Sequence, residues 1–147
     1  MEIQPDFSEL LKLLNRRKVE YLIVGGYALA FHGAPRATGV LDLWIRSEPE
    51  NARRLMEALQ EFGFGQVGLN ADDFTRPGAV VQLGVPPVRV DLLTSISGVS
   101  WDRAHPNRQL GSLAGHPVAF ISRKDFLANK RALGRAQDKA DIEALEE

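Results

Sequence analysis

The sequence predicts an α/β (α+β) protein in which helices flank a small mixed β-sheet. Three observations lead there. The apolar run Tyr21-Leu22-Ile23-Val24 has the length and uniformity of a buried strand. Val88 to Leu93 alternates in character, with Val88, Val90 and Leu92 on one face and Arg89 and Asp91 on the other. Around these runs, leucines and other apolar residues recur at helical spacing behind recognisable capping signals.

Taken in order, Asp6 with Glu9 three residues on reads as a capping box that opens a helix. Leu10, Leu11, Leu13 and Leu14 give its apolar stripe, and Arg16, Arg17 and Lys18 suit its C-terminal end. The strand Tyr21 to Val24 stops at Gly25-Gly26, and a short helix over Tyr27 to Phe31 follows, ending near His32-Gly33. Gly39 to Arg46 is a second strand: Leu41, Leu43 and Ile45 face one side, and Val40, Asp42 and Trp44 the other. Ser47-Glu48-Pro49-Glu50 predicts a helix with Ser47 as N-cap, carrying Ala52, Leu55, Met56, Leu59 and Phe62 and stopping at Gly63. Asn70 to Phe74 suggests one helical turn, and Ala79 to Leu83 and Val88 to Leu93 suggest strands. Gly111 to Phe120 is a hairpin or two short strands, Ser122 opens a basic helix that Gly134 breaks after Leu133, and Gln137 to Leu145 is a last short helix.

Composition narrows the function. Residues 1–147 are expected to form one domain, with a basic helical segment at 122–147. Eighteen basic and nineteen acidic residues leave a net charge of −1, which argues against nucleic-acid binding by bulk charge and leaves only a local patch. There is no cysteine, so disulfides, thiolate metal sites and cysteine nucleophiles are excluded, and His32, His105 and His116 are too scattered for a histidine zinc site. The longest apolar stretch, Tyr21 to Phe31, is about half of the ~20 residues that cross a bilayer. A cytoplasmic protein with no membrane contact is the expectation.

Three pieces carry chemistry. Gly25-Gly26 joins a strand to a helix, where the missing side chains allow close approach of a phosphate; glycine pairs after strands are also common without any ligand. Asp42 stands in the middle of an otherwise apolar strand, where a carboxylate is costly to bury unless it is paired or bound to a cation. The alternative is an edge strand with Asp42 facing water. Asp91 poses the same question on its own strand. Together the two acids and the glycine pair suggest an oxygen-ligand Mg²⁺ site that a nucleotide completes.

On these residues, with His32-Gly33, Arg36, Thr38 and the Asn129 to Asp141 segment, the chain resembles the polymerase-β-like nucleotidyltransferase superfamily, in particular small bacterial members of abortive-infection and toxin–antitoxin type. The resemblance implies a nucleotidyltransferase fold, an NTP with Mg²⁺, and transfer of NMP to a hydroxyl of RNA, protein or a small molecule. It implies that Asp42 and Asp91 are catalytic metal ligands and that Gly25 and Gly26 cradle phosphate. It also implies that Lys130, with Arg135, holds the triphosphate, and that a cognate partner protein exists. Arg36 and Thr38 lie between the glycine pair and the Asp42 strand, over the expected phosphate; Arg36 is equally an ordinary loop arginine after Pro35. Lys130 and Arg131 cannot face the same way, since adjacent helical positions differ by about 100°. Asp138 and Asp141 either orient the cations or serve as helix N-terminal acids.

One position departs from the pattern. The superfamily's Asp-x-Asp falls on positions 40 and 42, and position 40 is Val. Three explanations stand: a natural pseudoenzyme that binds nucleotide or a partner without transfer, an inactivated variant, or another carboxylate such as Asp72 or Asp73 in the missing place. Trp44 is expected to stack on a base or wall the pocket, Trp101 to belong to the core or a partner surface, and His32 to end a helix. Ser95, Ser97 and Ser100 have no histidine in a nucleophile-activating arrangement, so a hydrolase is discounted. The competing class is a non-catalytic nucleotide-binding or protein-interaction module.

Overall fold

The computed structural model describes residues 5–34, 38–63, 68–85 and 87–146. Helix α1 (Pro5–Arg16) buries Phe7, Leu10, Leu11, Leu13 and Leu14 along one stripe. Asp6 lies inside its first turn and not at the cap, where its charge still complements the helix dipole. Strand β1 (Tyr21–Val24) is buried along its whole length, which is why its sequence is uniformly apolar. Helix α2 (Gly25–Phe31) begins at the glycine pair itself, two residues earlier than the sequence suggests.

Strand β2 (Val40–Ile45) splits its faces as its alternation predicts: Leu41, Leu43 and Ile45 are fully buried, while Val40 and Asp42 are half-buried on the other side. Helix α3 (Pro49–Phe62) is capped by Glu48, not Ser47. The chain is still extended at Glu48, whose carboxylate accepts from the N–H groups of Glu50 (3.0 Å) and Asn51 (2.9 Å), while Pro49 fills the first position without needing a partner. Gly63 ends the helix at φ +106°. A 3₁₀ turn over Ala71–Phe74 is capped by Asn70, and strands β3 (Val80–Leu83) and β4 (Arg89–Leu93) follow.

A short helix α4 (Trp101–Ala104), capped by Ser100 and continued as a 3₁₀ turn, has no sequence counterpart, because four residues are too few to show a period. Strands β5 (Gln109–Leu113) and β6 (His116–Phe120) form the expected hairpin, and helix α5 (Arg123–Leu133) has Ser122 as N-cap and Gly134 in the left-handed region after it. Helix α6 (Ala136–Glu146) closes the chain and packs on α5.

The six strands form one mixed sheet in the order β3-β4-β2-β1-β6-β5. β1 is antiparallel to β2 and parallel to β6; β2 is parallel to β4; β3 and β5 are antiparallel edges. The edges carry exposed residues (Val80, Gln82, Gln109, Leu110), whereas the central strands and the helices packed on them supply most of the buried core. Among the described residues, no helix is long and apolar enough to cross a membrane.

Candidate nucleotide site

The site is built where β1, β2 and β4 lie side by side. In the parallel pairing of β2 with β4, Asp42 is opposite Asp91 and Val40 is opposite Arg89; in the antiparallel pairing with β1, Asp42 is opposite Val24. Register therefore puts both acids, Val40 and Arg89 on one face of the sheet. Gly25 follows Val24 directly and bends back at φ +67°. A side chain there would collide with Asp42 Oδ2 and lie 2.8 Å from its Cγ, so the chain passes the carboxylate only because position 25 has no Cβ. Gly26 makes a similar allowance for Thr38, whose Cβ lies 3.2 Å from where a Cβ of residue 26 would be. The Thr38 hydroxyl is itself engaged with the backbone of Val40, donating to its carbonyl (3.1 Å) and accepting from its N–H (3.2 Å).

A cleft of about 300 Å³ opens beside this corner. Gly25 and Asp42 line one side, Ser95 and Ser97 follow β4, and Asn129, Lys130 and Arg135 come from the α5–α6 corner. Four residues far apart in sequence and singled out by it (Gly25, Asp42, Lys130 and Arg135) thus share one concavity. Gly26 and Thr38 pack against each other next to it. Arg36 falls outside the described residues. Asp91 is next to Asp42 by register but faces Arg89, and neither lines the cleft.

The cations are held in place by acids. Lys130 is 7% exposed, with its ammonium 3.3 Å from Asp138 and 3.4 Å from Asp141 and over the Phe126 ring at 5.3 Å. Arg131, one residue on, is exposed and pairs with Glu146, as the angular argument requires. Arg135 grips Asp138 through Nε (2.7 Å) and Nη2 (3.1 Å), and its own N–H donates to the same carboxylate. These hydrogen bonds, chiefly from Arg135, hold the Asp138 carboxyl well below its ordinary value, at about 2. Asn129 donates to the Ser97 carbonyl at 2.9 Å and so ties α5 to the loop after β4. The two acids thus orient both cations, and Asp138 does so while caging the start of α6.

Asp91 is 7% exposed, and both its oxygens accept from Arg89, at 2.9 Å from Nε and 2.9 Å from Nη2. This fork-to-carboxylate pair is the strong form of a charged hydrogen bond. Asp91, with Asp42 adding to its field, strengthens protonation of the Arg89 guanidinium. Sequence reading noted Arg89 on the face of Asp91 but assigned it no part in the site; the signal was their spacing of two on a strand.

A two-metal centre does not fit these residues. Position 40 offers an isopropyl group, Asp91 is saturated by a guanidinium, and no group of three or more His, Cys, Asp or Glu side chains suited to a metal occurs among the described residues. Asp72 and Asp73 do not fill the gap. They sit in the 3₁₀ turn, where Asp73 accepts from the Asn70 N–H at 2.8 Å, and neither lines the cleft.

Trp44 is 2% exposed and packs edge-on against Trp101 with ring centres 5.3 Å apart; it belongs to the core and neither lines the cleft nor offers a stacking platform. Trp101 in turn stacks on His105. His32 follows α2 at its C-terminus, and its Nε2 lies 2.7 Å from the Ile121 carbonyl; burial lowers its pKa, favouring the neutral ring that donates this bond.

No protein-family model and no curated protein matches the chain. Solved structures do. A candidate nucleotidyltransferase of Thermotoga maritima is similar with a TM-score of 0.63 at 16% identity, over 97% of this chain and 93% of that one. The lincosamide antibiotic adenylyltransferase LnuA, in its lincomycin-bound form, gives 0.59 at 11% identity, over 98% and 96%. The antibiotic-resistance factor ANT(2'')-Ia gives 0.55 at 15% identity, over 96% and 79%. These likenesses show that the chain has the nucleotidyltransferase fold.

Proposed function

We propose that this chain uses the nucleotidyltransferase fold to bind a nucleoside triphosphate and that its capacity to transfer NMP to a hydroxyl acceptor is impaired. The observation that carries the reading is the pairing of Asp91 with Arg89 directly beside Val40, which removes two of the three carboxylate functions that such transfer needs. What remains is a binding site. Lys130 and Arg135, pre-oriented by Asp138 and Asp141, are the contacts for the triphosphate. Gly25 and Gly26 give the phosphates close access to the backbone, with Thr38 beside them, and Arg36 is a further proposed phosphate contact. Asp42 remains at the cleft wall, the one acid among the described residues that lines it.

A regulatory role fits this arrangement, as a nucleotide-binding partner in a toxin–antitoxin pair or a related cytoplasmic system. Ancestral transfer to RNA, protein or a small molecule is the second reading. It is favoured by the register that still holds Asp42 against Asp91, and the antibiotic specificity in the names of two structural neighbours makes a small-molecule hydroxyl the first acceptor class to try.

Calorimetry with each of the four NTPs tests binding, and incubation with α-labelled NTPs, total RNA and lysate tests transfer. Binding without label transfer supports the reading. Label transferred at ordinary enzymatic rates by the chain as it stands overturns the impairment, and absence of binding to any NTP overturns the nucleotide site. Label transferred by Val40→Asp alone would identify a transferase silenced at one position, and the labelled species would name the acceptor.

A further inference from the structure

Asn129 is nearly buried, uncharged and only half used. It is 8% exposed, and it lines the cleft beside Lys130, its neighbour in sequence. Its Nδ2 donates to the Ser97 carbonyl at 2.9 Å, and because a carbonyl only accepts, the amide cannot turn over. Gly98 keeps that carbonyl in place: a Cβ there would lie 2.7 Å from the Ala132 Cβ and 3.1 Å from the Ala128 carbonyl oxygen, so the loop after β4 lies directly on α5. The other amide atom, Oδ1, has no hydrogen-bond partner among the described residues. The Lys130 ammonium is engaged instead by Asp138 and Asp141. A fixed acceptor on a nine-tenths buried side chain at a cleft wall calls for a donor from whatever fills the cleft.

Position narrows the kind of donor. With the triphosphate at Lys130 and Arg135, the next part of a nucleotide along the molecule is the sugar, whose hydroxyls donate. An adenine edge would ask for both amide atoms, an acceptor for N6 and a donor for N7, and Nδ2 is already held by Ser97. Ile96 and Leu133 line the same cleft and give the carbon face of a sugar an apolar surface to rest on.

We infer that Asn129, set in place by Ser97, reads a ribose hydroxyl, so that the site selects ribonucleotides over deoxyribonucleotides. The inference rests on the nucleotide-binding reading above and adds which part of the nucleoside is recognised and by which atom: Oδ1 accepts from the hydroxyl.

The test is calorimetric titration of the full chain, in excess Mg²⁺, with ATP, its 2′-deoxy and 3′-deoxy analogues, inosine triphosphate and inorganic triphosphate. At least one deoxy analogue is expected to bind about five- to tenfold more weakly than ATP, the loss of one neutral hydrogen bond. The analogue with fluorine in place of that hydroxyl cannot donate, and is expected to bind as weakly as the deoxy form. In Asn129→Ala the preference for ATP over the deoxy analogue is expected to fall to about twofold or less. The ratio isolates the contact, because a general loosening of the cleft weakens both ligands alike. Asn129→Ser also removes Oδ1 and gives the same readout should Asn129→Ala fail to fold.

Both deoxy analogues binding as tightly as ATP overturns this inference on the wild-type chain alone and leaves the nucleotide reading standing. A loss with inosine triphosphate in that case assigns Oδ1 to the amino group of the base. Inorganic triphosphate binding as tightly as ATP, or an undiminished preference in the Asn129 variants, overturns it too. No binding of any nucleoside triphosphate overturns both.

Discussion

At Gly25 two constraints coincide, and they can be separated by substitution. Its φ of +67° disfavours any side chain, and Asp42 fills the space a Cβ would need. Gly115 has φ +81° but open space within 4 Å. Gly115→Ala should therefore cost about 1 kcal/mol from backbone strain alone, and Gly25→Ala about 2–4 kcal/mol, because overpacking adds to the strain. Urea denaturation of the two variants checks the difference; equal costs would show that Asp42 simply swings aside. Asp138 gives a pH test. Its carboxyl is held at about 2 in the folded chain, against an ordinary value near 3.9, so its contribution is fully present above the ordinary value. That stability is lost as pH falls through about 2. Asp138→Asn should lower stability at pH 7 by about 3 kcal/mol, since it strips a buried partner from Lys130, and should flatten the acid limb of the stability curve. A variant whose acid limb is as steep as wild type would show that other carboxylates govern it.

The elements are joined by a few polar side chains whose sequence positions look unremarkable on a helical wheel. Asn51 is 1% exposed at the start of α3. Its Oδ1 accepts from the Glu20 N–H at 2.7 Å, and its Nδ2 donates to the carbonyls of Glu20 and Arg46 at 3.0 Å each, binding α3 to the entry of β1 and the exit of β2. Asn51→Leu takes the partner from the Glu20 N–H and one of two donors from each carbonyl, which keep the Arg46 and Glu48 N–H groups, and should destabilise the chain by about 2 kcal/mol in chemical denaturation. At the neighbouring cap, Glu48→Ala should cost about 1 kcal/mol and Ser47→Ala close to nothing. The reverse order would restore the serine cap that the sequence pattern favours. The pattern ranks Ser above Glu because short side chains reach the first N–H groups most readily; here the chain is still extending at Glu48, and the longer carboxylate spans the gap.

For the whole molecule, ligand binding and folding are linked, because the cleft draws on both ends of the chain. Its walls come from the β1–α2 junction, β2, the loop after β4, and the α5–α6 corner, so only the folded chain presents it. ATP at 100 times its dissociation constant should add about 2.7 kcal/mol. For a chain of this size that corresponds to a rise of roughly 5–10 °C in melting temperature. A scan with no shift at millimolar ATP would count against the nucleotide site. The sheet order also explains how Asp42 and Asp91 come together: β2 and β4 are parallel neighbours although α3, a 3₁₀ turn and β3 lie between them in sequence.

Local patterning by itself determined the fold class and most elements. Whether a segment is helix or strand depends on which of its own side chains share a face, and Tyr21–Val24, Val40–Ile45 and the stripe of α1 state that within a few residues. The residue types of the site were legible too, since a buried Asp in an apolar strand and a glycine pair are locally anomalous. Pairing was not. That Lys130 is held by Asp138 and Asp141, that Glu48 takes the cap from Ser47, and that Arg89 saturates Asp91 opposite Val40 are outcomes of register and packing. A charged side chain interacts with what is near in space, and only the tertiary structure decided which charges became neighbours.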